Sequence, residues 1–212
     1  MSESPLPPEP SRAQRFRHWF RRTFYWWLLL IPAIHLALIS YLSHQKVGIF
    51  HNEVEPKVLF EVIHPALLVL FTLLSLQGWR LTRQFAFGWM TLFGAVLFCR
   101  ELHFYGSGPI LVGGLLFLLW AAIKKKEERR AFLAQRWAAS LFTLSFVSYV
   151  VSQLLDRGVF EFIGRVIVWN FRWILLYRSN MEETLEALGG LFLVFTTLTI
   201  LVSALPRPRP EA

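Results

Sequence analysis

Cysteine is nearly missing from this chain of 212 residues, and charge is scarce. The single cysteine, Cys99, excludes an intrachain disulfide framework and a cysteine-rich metal site. A lone thiol inside an apolar run reads as a small packing residue. Asp, Glu, Lys and Arg make up only 17% of the residues, where a soluble domain carries about 25%. Reaction motifs are missing too. There is no His-Glu-x-x-His zinc signature, and no glycine-rich loop runs into Lys-Ser or Lys-Thr to cradle a phosphate. Ser107 has His103 one turn away but no hydrolase elbow around it, so nucleophilic catalysis is not expected there. The formal charge of +8 does not point to nucleic acid. Its Lys and Arg flank apolar runs, as orientation signals do, and no basic and aromatic residues alternate along a polar stretch.

What fills the chain is apolar: 55% of the residues are hydrophobic. Six apolar segments lie at roughly 24–43, 58–77, 85–103, 109–123, 137–155 and 184–205. About 20 residues suffice to cross a bilayer as a helix. The runs are continuous, without period-two alternation, so helices are expected rather than a barrel. The expected fold is all-α, a multi-pass transmembrane helical bundle of six spans. One membrane domain occupies 24–205, between a polar basic tail at 1–23 and a short tail at 206–212. Pro5, Pro7, Pro8 and Pro10 deny the start of the first tail a regular helix. The first apolar run is followed by no small-x-small cleavage site and reads as a retained span.

In this arrangement, 15 of the 22 Lys and Arg lie on the side of both termini. The positive-inside bias then places both termini in the cytoplasm. Compact loops make a bacterial inner membrane the expected location. The expected partners are the lipid bilayer and either a membrane subunit or further copies of the chain. Residues 156–183 break the pattern. Arg157, Glu161, Arg165, Val168 and Arg172 recur at helical spacing and draw one mostly charged stripe. An amphipathic helix on the outer face, between spans five and six, fits this stripe best. A seventh span over 159–177 is the alternative, at the cost of three charges in hydrocarbon.

The candidate site follows from expense. An ionisable group near the bilayer centre costs about 2.5–3.5 kcal/mol on insertion scales and commonly pairs with another. Arg100, Glu101 and His103 end the third span, Asp156 ends the fifth, and Glu182, Glu183 and Glu186 open the sixth. Glu61 and His64 lie near the start of the second. With six spans all of these share one side. Glu183 and Glu186 are spaced to share a helical face, and Arg100 is expected to pair with one of them. The leading expectation is an outward-facing pocket of Arg100, Glu101, His103, Glu183, Glu186 and Asp156 that binds a partner or small ligand.

Two further readings use the same or neighbouring residues. Carboxylates and imidazoles suit zinc, iron or manganese, so Glu101, His103, Glu183 and Glu186 are candidate ligands of a divalent metal in a membrane-embedded enzyme acting on lipid or another apolar substrate. Glu61 and His64 form one Glu-x-x-His, but a di-metal bundle needs a second copy and the chain has none. His35 and His64, at similar depth on neighbouring spans, are candidates to bracket a haem or bind a quinone for electron transfer. Pro32 and Pro65 free carbonyls at Leu28 and Glu61, which gives these histidines a plainer hydrogen-bonding role. Gly113-Gly114 and Gly189-Gly190 are expected to let helices approach closely. Gly106 to Pro109 reads as a turn.

Overall fold

Long apolar runs in lipid must satisfy their own backbone groups, and helices are the local answer. The computed structural model describes residues 12–51, 54–102, 105–159 and 177–204. Among them every regular element is helical. Helix α1 spans Arg12–Thr23, and a short 3-10 turn at Trp26–Leu29 leads into α2, Leu30–Gln45. Then come α3 (Val54–Thr82), α4 (Phe85–Glu101), α5 (Ser107–Lys124), α6 (Lys126–Ala134), α7 (Arg136–Asp156) and α8 (Arg178–Ala204).

Among the described residues five helical stretches are long and apolar enough to cross a membrane: Trp26–Gln45, Pro56–Thr82, Ser107–Lys124, Arg136–Asp156 and Arg178–Ala204. The expected third span is the exception. Its helix, α4, has 17 residues, about 26 Å at 1.5 Å per residue, against about 30 Å of hydrocarbon. The apolar run of the sequence extends to residue 103, but the helix ends at Glu101. The amphipathic or spanning segment expected at 159–177 falls almost wholly outside the described residues.

One element was not expected. The end of the basic tail, Arg12–Thr23, contains no Pro or Gly and forms α1. It docks on the start of α7: Arg136 donates to the Arg21 carbonyl at 3.1 Å and lies over the Tyr25 ring at 4.3 Å. Tyr25 also packs on Trp137, with centroids 4.6 Å apart.

Helix α8 is the centre of the bundle. Half of its apolar window is buried, against 6% for α5, whose Leu116, Phe117, Leu119 and Trp120 face outward. Contacts fix the registers. Helices α7 and α8 run antiparallel: Ser152 meets Glu186 near one end and Gln135 meets Ser203 near the other. Helices α3 and α8 run parallel, with His64 beside Glu186 and Ser75 bonded to Thr197. Helix α4 is antiparallel to α3, since Glu101 reaches His64 while Phe87 packs near Gly78. The main core, from Leu68, Phe71, Phe87, Met90, Leu193 and Ile200, fills the space among α3, α4 and α8. The antiparallel pairings bring the beginnings of α3 and α8 and the ends of α4 and α7 to one end of the bundle.

Candidate functional site

At that end α3, α4 and α8 line a cavity of 420 Å³ with Lys57, Glu61, His64, Pro65, Arg100, Glu101, Glu182, Glu183 and Glu186. The sequence already sets this local chemistry. Lys57, Glu61 and His64 fall one turn apart on α3 and so share a face. In the first turns of α8, Glu186 falls one turn after both Glu182 and Glu183 and so neighbours each of them. Arg100 and Glu101 close the last turn of α4. Pro65 sits inside α3 and removes one donor from its ladder, leaving the Glu61 carbonyl without its i+4 partner at the cavity wall.

The deepest part of the cavity is a tight cluster. His64 is 2% exposed and Glu186 6%. His64 Nδ1 lies 3.5 Å from Glu101 Oε2 and 3.4 Å from Glu186 Oε2. The other ring nitrogen, Nε2, is 3.0 Å from the Tyr149 hydroxyl of α7. Arg100 Nη1 stands on the opposite side of the carboxylates, 3.6 Å from Glu101 Oε1 and 3.5 Å from Glu186 Oε1. Ser152 and Gln153 of α7 donate to the same Glu186 Oε1 at 3.0 and 3.3 Å. Glu186 is therefore held by groups from three neighbouring helices. A carboxylate this deep is stable only with such partners.

The chamber is acidic while the chain is basic. Five carboxylates face two cationic side chains in its wall, a formal excess of three negative charges, although the whole chain carries +8. An apolar slot of 160 Å³ adjoins it, lined by Leu97, Leu111, Leu115, Phe146 and Tyr149. Arg100 lines both spaces.

The residues singled out in the sequence fall as follows. Arg100, Glu101, Glu183 and Glu186 all line the cavity. Of the two partners expected for Arg100, the one it faces is Glu186. Asp156 is not in the cavity wall; it meets Arg178, whose guanidinium reaches its backbone carbonyl and its Oδ1 at the head of α8. His103 lies outside the described residues. His64 stands with the carboxylates and Tyr149, and His35 holds a buried Nε2 without a hydrogen-bond partner among the described residues.

Sequence reasoning did not bring Tyr149, Ser152, Gln153 or Lys57 to the site. A signal for the α7 face was present. Ser145, Ser148 and Ser152 recur at three and four residues, and all three are buried. No protein family, curated protein or solved structure matches the chain.

Proposed function

We propose that this chain is a six-span protein of the bacterial inner membrane whose cavity receives a small cationic ligand from the outer aqueous phase. The observation that carries the reading is the charge of the chamber. A wall of five carboxylates and two cations concentrates positive ions, and low-dielectric surroundings strengthen that focusing. The surplus of Lys and Arg on the side of both termini supports an outward cavity. The shared end of α7 and α8 supports six spans over seven: Asp156 and Arg178 meet, so the chain leaves one helix and enters the other at the same end. A seventh crossing between them would separate these residues by the thickness of the membrane.

Thiol labelling tests the reading. In a Cys99→Ser background, Glu182→Cys places one thiol in the cavity wall. In intact cells a cationic thiosulfonate is expected to modify it about 10-fold or more faster than an anionic reagent of the same size. Equal rates, or modification only after the membrane is breached, would overturn the proposal.

A further inference from the structure

Three atoms in the floor of the cavity form a ring. They are His64 Nδ1, Glu101 Oε2 and Glu186 Oε2, with edges of 3.5 and 3.4 Å from the imidazole nitrogen. One ligand atom from each of these residues lies within 4.8 Å of the other two. We infer, resting on the reading of the cavity as a cation receptor, that His64, Glu101 and Glu186 together hold one divalent transition-metal ion. An imidazole and two carboxylates without sulfur suit zinc, manganese or iron.

The spacing is the first argument. Good N–H···O bonds measure about 2.7–3.2 Å, shorter than these edges. An ion about 2.1 Å from each of three tetrahedral ligands holds those ligands about 3.4 Å apart. The second argument is what holds the ring open. Ser152 and Gln153 donate to the Oε1 oxygen of Glu186, and the Arg100 guanidinium draws the Oε1 oxygens of both carboxylates to its side at 3.5 and 3.6 Å. The Oε2 oxygens are thereby turned toward His64. Tyr149 completes the support. With His64 Nε2–H donating to the phenol oxygen, Nδ1 presents a lone pair to the ring, which is the usual arrangement of a metal-ligating histidine.

Charge and space agree. Arg100 offsets one of the ring's two carboxylates and stands on their Oε1 side. A dication at the ring reduces the formal excess of the wall from three negative charges to one. The 420 Å³ of open cavity beyond it leaves room for water at a further coordination position, at about 30 Å³ per molecule. Of the ligands expected from the sequence, Glu101 and Glu186 belong to this ring, and Glu183 lines the cavity outside it.

The full chain, purified in detergent, stripped with a chelator and dialysed against zinc or manganese alone, is expected to retain one ion per chain by elemental analysis. His64→Gln and Glu186→Gln are expected to lose it, while Glu183→Gln keeps it. Tyr149→Phe, which leaves all three ligands in place, is expected to weaken binding about 10- to 100-fold. Each variant is first checked for wild-type elution and melting. If His64→Gln does not fold, Glu101→Gln and Tyr149→Phe decide. A folded wild-type protein that takes up neither ion, or a Glu186→Gln protein that retains it fully, overturns the inference. Charge-selective labelling at position 182 separates the two failures. Labelling that persists without metal binding sinks the metal site alone, and loss of selectivity sinks the receptor reading beneath it.

Discussion

Glu186 occupies a demanding position. It is 6% exposed, accepts from Ser152 and Gln153, and faces both His64 and Arg100. Removing one member of such a buried set leaves the others desolvated and unpaired, which costs about 3 kcal/mol. Glu186→Ala is therefore expected to lower unfolding stability in detergent by about that amount, with chelator present to exclude any metal contribution. Glu183→Ala, at the more open part of the same wall, is expected to change stability by no more than about 0.5 kcal/mol. Equal losses from the two would mean that Glu186 is not anchored as its contacts indicate. Arg100, Glu101 and Glu186 are legible in the sequence because charge within apolar runs is costly and conspicuous. The end of the bundle at which His64 lies is legible as well, but its meeting with Glu186 is not, since that depends on a helix 122 residues further along the chain. Nor are Ser152 and Tyr149, which look like ordinary polar residues until α7 is laid against α8.

Helices, by contrast, are mostly legible one at a time, and their pairing is what the sequence conceals. The apolar runs place both ends of α5 and α7 to within two residues and the ends of α2, α3 and α8 to within six. Helix α1 is not legible in this way, because its polar, arginine-rich segment follows four prolines and carries no long apolar run. Glycines illustrate the difference between a pattern and a contact. A methyl group at Gly190 would come 3.1 Å from Leu67 Cβ, and one at Gly189 3.0 Å from the Tyr149 ring, so this pair sets the approach of α8 to α3 and α7. Gly113, in a similar Gly-Gly pair, meets nothing within 4 Å, and only its neighbour Gly114 packs, against Val96. Gly190→Leu is expected to destabilise the bundle by about 1–3 kcal/mol through overpacking. Gly113→Ala is expected to be neutral or to stabilise by up to about 1 kcal/mol, the helix-propensity gain over glycine. Thermal melts of the two variants side by side check this, and a Gly113→Ala loss matching that of Gly190→Leu would refute the assigned packing faces.

At the scale of the whole molecule, the site exists because of one topological fact. Helices α7 and α8 lie antiparallel over their full length, from the Gln135–Ser203 contact to the Asp156–Arg178 contact. That pairing delivers the Glu-rich start of α8 to the end where α4 finishes and α3 begins. Reverse it, and Glu186 would lie at the far end from Arg100, about 30 Å away along a helix of 21 residues. Paired cysteines in a Cys99→Ser background put this to the test. Gln135→Cys with Ser203→Cys is expected to be joined by a short bifunctional maleimide in native membranes, because the parent side chains are 3.2 Å apart. Gln135→Cys with Arg178→Cys, separated by the length of α7, is expected to stay unlinked. Linking of the second pair in place of the first would place the acidic groups of α8 at the wrong end, and the cavity, its cation preference and the three-ligand ring would all fall with it.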